Sequence, residues 1–332
     1  MSAREFDESD VRIRPSRSTR PRSKDRPSYS DAIEALVTTV DRGRTTCITT
    51  DGTIITAMKS RELGPKSVVV GDFVGIVGDT SGTVGSLARI VTVQERKNSL
   101  SRTVDDVAKV ERVIVANIDQ LVIVLAAANP EPRKGLVDRF LVSAFNESIA
   151  PLILVTKVDL EQPPTFLDEY RALEIPVLTT SKGADITEIR KILYGKTSVL
   201  VGHSGVGKST LINELVPHAQ RVIGEVNAVT GRGKHTSSSA IALPLSPSLK
   251  LSDGWIIDTP GIRAFGLAHI DPNRIVATFE DLREVIAQCM PHCSHVEQGC
   301  ALTEWACPNG TGIPARQARV DSLRSLLDIK LD

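Results

Sequence analysis

The sequence predicts an α/β domain with a mostly parallel sheet, preceded by a small antiparallel β-barrel and followed by a small helical domain. Three observations lead to this prediction. Short β-type runs separated by turn residues occupy residues 44–93, which is the spacing of a small barrel. Apolar strands then alternate with helical stretches as far as Ile257, which is typical of a parallel sheet. The last segment combines closely spaced cysteines and a histidine with a helical stretch.

The composition is that of an ordinary soluble protein with room for two or three domains. The chain has 332 residues, of which 41% are hydrophobic and 24% charged, and its net charge is zero. The longest apolar run, residues 121–128, is too short to span a bilayer, and no apolar signal segment follows Met1. Five cysteines, three of them clustered with a histidine, suit a reducing compartment. We therefore expect a cytoplasmic protein with no membrane partner.

Residues 1–30 predict a disordered basic tail. From Arg12 to Arg26 there are six arginines and one lysine against a single acid, Asp25. Such a segment buries too little apolar surface to offset the entropy of ordering it. The tail could lie along RNA phosphates or serve only as a solvated extension, and the composition favours neither.

The barrel is assigned to residues 31–102, and an OB-fold is the commonest barrel of this kind that binds RNA. Residues 31–40 are interpreted as a lead-in segment that could be helical, and residues 94–102 as a polar, basic linker. Phe73 is the only aromatic residue from 44 to 93, which argues against stacking of bases on the barrel. Contacts to RNA phosphates remain open through Lys59, Arg61, Lys66 and Arg89. A barrel that docks only on proteins is the alternative.

The central region, residues 103–270, is assigned to the α/β domain. Its predicted strands are 120–128, 151–156, 175–178, 198–201 and 255–257. Helices are predicted between them at 135–148, 166–173 and 186–193. Ligands of such sheets bind at the carboxyl ends of the strands, so the loops that follow the strands form the candidate site.

The strongest motif is Gly202-His-Ser-Gly-Val-Gly-Lys-Ser209, between a short strand and a helix predicted at 210–216. Its glycines permit backbone angles that point successive N–H groups into one concavity, which suits a phosphate chain at a helix N-terminus. Lys208 would reach the β- and γ-phosphates, and the Ser209 hydroxyl would ligate Mg²⁺. The motif predicts a nucleotide site formed by Gly202, His203, Ser204, Gly205, Val206, Gly207, Lys208, Ser209 and Thr210.

Two turns after neighbouring strands predict the base site. Thr156-Lys-Val-Asp159 resembles the Asn-Lys-x-Asp motif of GTPases, with Thr156 in the position of the asparagine. Asp159 can accept hydrogen bonds from N1–H and the exocyclic amine of guanine, which adenine does not offer on that edge. Lys157 can lay its aliphatic stem over the base. Thr179-Thr-Ser-Lys182 resembles the loop that touches guanine O6, which adds Thr180, Ser181 and Lys182 to the candidates.

Two later motifs predict switch elements. Trp255-Ile-Ile-Asp-Thr-Pro-Gly261 delivers Asp258 to the sheet edge, where it can hold Mg²⁺ through water. The Gly261 N–H is left to meet a γ-phosphate. Gly231-Arg-Gly-Lys-His-Thr-Ser-Ser-Ser239 is polar and flexible and looks like a first switch. Thr236 is its candidate Mg²⁺ ligand, and Ser237 is the alternative.

His235 is the candidate catalytic residue. Ile262 stands where many GTPases have a glutamine that orients the attacking water. A histidine, with an unperturbed pKa of about 6.5, can position or deprotonate water at neutral pH. A solvent-facing loop histidine is the alternative. Slow intrinsic turnover that awaits an ordering partner is the hypothesis that follows.

The order of the motifs predicts a circular permutation. The base motifs at 156–159 and 179–182 precede the phosphate loop at 202–209, whereas in ordinary GTPases they follow it. A permutation preserves the sheet while it moves the termini. The fold class is therefore a circularly permuted α/β P-loop GTPase with a mostly parallel sheet.

The C-terminal segment, residues 271–332, carries a predicted metal site. Three thiolates and an imidazole within twelve residues make a closed tetrahedral set for one structural Zn²⁺, formed by Cys289, Cys293, His295 and Cys300. His292 is the alternative to His295. A helix predicted at 314–327 carries Arg316, Arg319 and Arg324, which either touch RNA or form a solvated face.

Together these motifs resemble the RsgA (YjeQ) family. The resemblance spans roughly residues 40–310 and includes Val70-Gly-Asp72, Arg96-Lys-Asn98, Asp258-Thr-Pro-Gly261 and Gly299-Cys-Ala301. Thr156 and a first cysteine pair one residue closer than usual depart from the family pattern. The family implies a GTPase stimulated by the small ribosomal subunit, which acts in late subunit assembly, binds its rRNA through the barrel and zinc domain, and leaves on hydrolysis. It also implies a catalytic switch histidine, here His235.

We expect GTP or GDP, Mg²⁺ and one Zn²⁺ as ligands, and a monomer as the working form. The alternative is a scaffold that binds rRNA and holds nucleotide as a structural or regulatory ligand with negligible turnover.

Overall fold

The computed structural model of the chain describes residues 29–41, 43–63, 68–103, 111–218, 240–259, 272–291, 293–295 and 299–328. All elements named below belong to one compact unit, Ala32–Asp332. Residues 1–28 of the predicted tail, as well as Lys66, lie outside the described residues. Among the helices that are described, none has both the length and the apolar character needed to cross a membrane.

Within the described part of the chain, five strands close a barrel. They are β1 (Ile33–Asp41), β2 (Arg44–Thr49), β3 (Ile54–Lys59), β4 (Phe73–Gly78) and β5 (Ala88–Val93). The strand order is β1-β2-β3-β5-β4, and β4 pairs again with β1. All pairs are antiparallel except β3–β5. Apolar side chains such as Val37, Ile55 and Ile90 fill the interior. The prediction of an N-terminal barrel of the OB type is confirmed.

The central sheet is mostly parallel, as predicted. An antiparallel pair, β6 (Ser99–Thr103) and β7 (Glu111–Ala116), precedes it. The strands of the central sheet are β8 (Gln120–Ala126), β9 (Ala150–Thr156), β10 (Val177–Thr179), β11 (Thr197–Val201), β12 (Ile241–Pro244) and β13 (Trp255–Asp258). They are ordered β10-β9-β8-β11-β13-β12, and among these six only β12 is antiparallel to its neighbour, β13.

Helices cover both faces of this sheet. They are α1 (Lys134–Asn146), α2 (Leu167–Ala172), α3 (Thr187–Leu193) and α4 (Lys208–Leu215). Phe140 of α1 and Tyr170 of α2 pack in one apolar cluster with Ile123. Ile189 of α3 and Leu211 of α4 pack in another with neighbouring strand residues that point the opposite way. The sheet therefore has two buried faces, as expected of parallel strands.

The C-terminal part is helical. It contains α5 (Pro272–Thr278), α6 (Arg283–Ile286), α7 (Ala301–Ala306) and α8 (Pro314–Asp328). Short 3-10 turns lie at Arg61–Leu63, Leu251–Asp253, Glu280–Leu282 and Pro308–Gly310. Val142 of α1 belongs to the same apolar cluster as Phe279, Leu302 and Leu323, so this helical part packs directly on α1.

Strand β1 corrects the expectation that residues 31–40 could be helical. Residues 35–39 are all buried, because Ala35 and Val37 face the barrel interior while Leu36 packs into the core of the central sheet. Burial on both faces removes the alternation that marks a strand in a sequence. Through the pair Thr39 and Ile241, β1 also joins the barrel to β12.

The expected linker at 94–102 is corrected as well, because Ser99–Thr103 forms β6 and pairs with β7. Leu100 and Val115 of this pair are buried in the main core. Strands β7 and β12 were not predicted. Their buried residues Val115 and Leu243 pack in clusters with residues distant in the sequence, such as Leu36 and Val122 respectively.

Candidate nucleotide site and candidate metal centre

The loops that carry the predicted nucleotide-binding residues meet at one edge of the sheet. Strands β10, β9, β8, β11 and β13 run parallel, so their carboxyl ends lie together. The phosphate loop follows β11, the turn at 156–159 follows β9, and the turn at 179–182 follows β10. Asp258 ends β13 opposite Leu200 of β11. Five strand ends therefore converge on one candidate pocket.

At two positions of the phosphate loop, the backbone conformation or a close backbone neighbour leaves room only for glycine. A Cβ on Gly202 would lie 2.2 Å from Val124 O, and the φ of this residue is +145°. Gly207 has a φ of +95° and is the N-cap of α4, which begins at Lys208 rather than at the predicted residue 210. The loop thus presents backbone N–H groups and a helix N-terminus to the pocket.

The Lys208 ammonium donates to two carbonyls of its own loop. Its Nζ lies 2.7 Å from Gly202 O and 2.9 Å from His203 O. Burial lowers the pKa of Lys208, and the nearby Asp258 charge opposes that shift. Burial likewise raises the pKa of Asp258, against the effect of Lys208. A partly buried cation and a partly buried carboxylate therefore lie near each other at this sheet edge, which suits a phosphate chain and a divalent cation.

The threonine at the asparagine position links the base turn to the phosphate loop. Thr156 Oγ1 lies 2.5 Å from Val206 O and 3.1 Å from Leu125 O, and its single proton donates to the closer carbonyl. The Lys157 ammonium donates to Asn129 O, in the loop after β8. Asp159 is exposed at the mouth of the turn. Base turn and phosphate loop are thus parts of one hydrogen-bonded arrangement.

The second base turn is tied to the first. Thr180 N donates to Val155 O at 2.8 Å, and Val158 N reaches Thr180 O at 3.5 Å. Thr180 is buried, whereas Ser181 is half-buried and Lys182 exposed. Both base turns therefore sit side by side at the same sheet edge.

Three predicted residues lie in segments that the structure does not describe. These are His235 and Thr236 of the first switch, with the alternative Ser237, and Gly261 of the sensor.

The predicted metal ligands do come together. The ligand atoms of Cys289, Cys293, His295 and Cys300 all lie within 4.8 Å of one another. Cys289 Sγ is 3.8 Å from Cys300 Sγ and 3.7 Å from His295 Nδ1. Ligands about 2.0–2.3 Å from a tetrahedral zinc are separated by roughly 3.5–3.8 Å, so this donor set fits such an ion. His292, the alternative ligand, is outside the described residues.

Similarity to known proteins shows which family the chain belongs to. The sequence model of the RsgA GTPase family matches residues 93–268, more than half of the chain. A relative from Pseudomonas aeruginosa, named small ribosomal subunit biogenesis GTPase RsgA, is 37% identical over 239 residues, 69% of this chain and 68% of that one. A relative of the same name from Chlorobaculum tepidum is 36% identical over 304 residues, 88% of this chain and 93% of that one. This chain belongs to the RsgA GTPase family.

Solved structures agree with the RsgA fold. YjeQ from Thermotoga maritima superposes with a TM-score of 0.61 at 27% identity, and the match covers 89% of this chain and 98% of that one. YloQ, described as a circularly permuted GTPase, gives 0.62 at 23% identity and covers 92% and 99%; at this identity it supports the fold alone. The predicted circular permutation is confirmed. As a member of the RsgA family, the chain is a GTP hydrolase.

The sequence did not reveal two further residues at the candidate nucleotide site. Asn129, the partner of Lys157, follows β8 in an Asn-Pro turn beside a cleft lined by Pro130, His203 and Val206. Glu214 near the end of α4 accepts a hydrogen bond from Gly183 N at 3.1 Å. Asn129 could have been found from the sequence, because an Asn-Pro turn follows the end of a predicted strand there. Glu214 had none, because its partner is distant in the sequence.

Arg319 of α8 corrects one part of another expectation. Neither a solvated face nor an RNA contact describes Arg319, which is 5% exposed and pairs with Asp138 and Asp281. Arg324 Nε donates to His295 O at 2.8 Å, and Arg316 lies over the ring of Trp305. These side chains hold the C-terminal part together.

Proposed function

We propose that this GTP hydrolase acts in late assembly of the small ribosomal subunit, binds its rRNA and leaves when GTP is hydrolysed. The family and the names of the relatives support this proposal. The observation that carries it is the convergence of phosphate loop, base turns and Asp258 at one sheet edge, joined by the Thr156 hydrogen bond. The subunit would then supply the order that the switch needs for turnover.

The proposed nucleotide contacts follow the strand ends. The loop amides and Lys208 hold the phosphates, while Ser209 and Asp258 serve Mg²⁺ together with Thr236 of the switch. Asp159 and the Lys157 stem hold guanine, and the turn after β10 meets its O6. The full set proposed is Thr156, Lys157, Asp159, Thr180, Ser181, Lys182, Gly202, His203, Ser204, Gly205, Val206, Gly207, Lys208, Ser209, Thr210 and Gly261.

We propose that His235 positions or deprotonates the attacking water. Ile262 lacks any group for this task. Water then attacks the γ-phosphorus, the bond to the β,γ-bridging oxygen breaks, and GDP and phosphate leave.

The flanking parts would bind RNA. The basic side chains of the barrel that could contact RNA phosphates are exposed, namely Lys59, Arg61 and Arg89. A structural Zn²⁺ at Cys289, Cys293, His295 and Cys300 would fix the C-terminal fold. We propose domains at 31–102, 103–270 and 271–332 after a basic tail at 1–30, with β6 spanning the first boundary and packing on the central domain through Leu100. We also propose a monomer that works in the cytoplasm.

The test is steady-state GTP hydrolysis with and without purified small subunits. We expect slow turnover alone, strong stimulation by the subunit, and loss of stimulated turnover in His235→Ala with GTP affinity kept. The matched control is His269→Ala, a histidine outside the switch motif at residues 231–239. Flat turnover with intact nucleotide binding would instead favour a scaffold, and unchanged turnover in His235→Ala would remove that residue from the mechanism.

A further inference from the structure

The turn after β10 has an uneven distribution of backbone hydrogen bonds. Thr180 N donates to Val155 O at 2.8 Å, and Ala184 N donates to Ser181 O at 3.1 Å. Gly183 N donates to the Glu214 carboxylate. Between these bonded positions, the N–H groups of Ser181 and Lys182 have no acceptor among the described residues. Two adjacent donors are therefore left for a ligand, and both flanks of the turn are fixed.

Glu214 is placed against its local electrostatic preference. It is the last residue but one of α4, which runs from Lys208 to Leu215, and a negative side chain near a helix C-terminus is unfavourable. The Arg190 guanidinium donates to Glu214 O at 2.5 Å, which satisfies a carbonyl of the last turn. Among the described residues, the Glu214 carboxylate accepts a hydrogen bond only from the Gly183 amide. This bond joins the C-terminal end of α4 to the second base turn.

Helix α4 connects the two halves of the nucleotide site. It begins at Lys208, where the phosphates are proposed to bind, and Glu214 at its other end holds the second base turn. A hydrogen bond from an amide to a charged acceptor is stronger than a neutral one. Loss of the carboxylate would free Gly183 N and let the turn rotate, so that the neighbouring amides would no longer point in a fixed direction.

We propose that Glu214 is a positioning residue for recognition of the guanine base: it holds the turn so that the N–H groups of Ser181 and Lys182 face the 6-oxo group. The inference rests on the proposed base site and adds a residue that does not itself touch the nucleotide. Asp159 would read the N1–H and 2-amino edge, while Glu214 would act through the turn on the 6-oxo group. The two contributions are therefore separable with base analogues.

The experiment measures Kd by competition with a fluorescent GDP for GTP, 6-thio-GTP and ITP. The sulfur of 6-thio-GTP is a weak acceptor and removes the 6-oxo contact, whereas ITP lacks only the 2-amino group. We expect Glu214→Leu to reduce the preference for GTP over 6-thio-GTP about threefold to fivefold, as loss of one exposed hydrogen bond of about 1 kcal/mol implies. Its preference for GTP over ITP should stay unchanged. Because each preference is a ratio within one protein, a general loss of folded molecules cancels.

Controls separate positioning from a general effect. Glu214→Gln keeps an acceptor oxygen and should restore the wild-type ratio. Glu188→Leu makes the same change at an exposed acid on α3 that has no hydrogen bond among the described residues, and should change neither ratio. Asp159→Ala should reduce the GTP-to-ITP ratio.

Three outcomes would overturn the proposal. Glu214→Leu with a wild-type 6-thio-GTP ratio removes Glu214 from base recognition while leaving the base site in place if Asp159→Ala behaves as expected. An equal fall of both ratios in Glu214→Leu shows a general structural role. If the wild-type protein does not distinguish the three nucleotides, both the base site and the role of Glu214 are wrong.

Discussion

The barrel and the C-terminal helices are fixed to the central sheet by two junctions of different chemistry. The barrel junction consists of Asp72, Arg96, Asn98 and Asn117, and most of its bonds involve side-chain amides or backbone groups. The C-terminal junction consists of Asp138, Tyr170, Asp281, Arg319 and Ser322, and its centre is the buried ion pair of Asp138 and Arg319. The difference predicts which junction tolerates damage.

The barrel junction places its amides where the backbone needs partners. Asn98 Nδ2 donates to Ile118 O and its Oδ1 accepts from Ile118 N, both at 2.8 Å. Asn117 Nδ2 donates to Gly71 O at 2.8 Å. Gly71 approaches so closely that a Cβ there would lie 2.1 Å from Ala116 O. The one ion pair, Asp72 with Arg96, has an arginine that is 25% exposed and keeps contact with water.

In the C-terminal junction the central ion pair has almost no access to water, since the side chains of Arg319 and Asp138 are 6% and 2% exposed, although Asp281, the second partner of Arg319, is 34% exposed. Asp138 accepts from Tyr170 and Arg319, each at 2.8 Å, and from Ser322. Burial alone would lower the pKa of Arg319, but hydrogen bonding to Asp281 and the charge of Asp138 raise it overall. Burial and the charge of Asp138 raise the pKa of Tyr170. Because Asp138 and Arg319 are both buried, loss of one of them leaves the other charge poorly compensated.

Metal removal should have the largest effect, confined to the C-terminal side. Structural zinc contributes an apparent 10–16 kcal/mol, roughly, in small domains, and Arg324 ties His295 to α8. We expect chelation to raise amide hydrogen exchange in α7 and α8 strongly, and to leave the barrel strands and nucleotide binding nearly unchanged. Mass spectrometry of exchanged peptides measures this directly.

Two cysteine variants sharpen the metal experiment. Cys293→Ser should lose bound zinc, whereas Cys307→Ser should retain it, because the Cys307 thiol lies beside Gln317 and outside the ligand cluster. Equal zinc content in both variants would show that the cluster is not the site. Exchange that also rises in β1–β5 would show that the two junctions are not independent.

Asp138→Ala should come next. It leaves Arg319 with one partner and removes the acceptor of Tyr170 and Ser322, so we expect a loss of about 3–5 kcal/mol in the free energy of unfolding. Urea unfolding followed by circular dichroism gives the value. Asp168→Ala is the matched control: Asp168 is 74% exposed and pairs with Arg171 on the same helix, so its loss should cost less than about 1 kcal/mol. Similar values for both would refute the buried-charge argument.

The sequence revealed the candidate site better than the junctions. Residues 202–209 match the fixed spacing that is typical of phosphate-binding loops, so a local pattern identifies them as candidates. The partners of Asp138 and Glu214 lie far away in the chain, and nothing local marks such pairs. The prediction for residues 31–40 was wrong for a related reason, because the two buried faces of β1 belong to different apolar cores. What sequence patterns cannot show is which distant segment covers a residue.

Asp72→Ala should have the smallest effect of the junction variants, although Asp72 is fully buried. The change removes the acceptor of Val69 N, at 2.8 Å, and of Arg96. Because Arg96 is partly exposed, water can hydrate its charge, so the main cost is one buried N–H and one ion pair, about 2 kcal/mol. The control is Lys97→Ala, whose ion pair with Asp119 is largely exposed and should contribute less than about 1 kcal/mol. If Asp72→Ala destabilised the protein as much as Asp138→Ala, access of water to the remaining partner could not be what distinguishes the two junctions. A larger loss would instead point to the close approach at Gly71, which depends on the same turn.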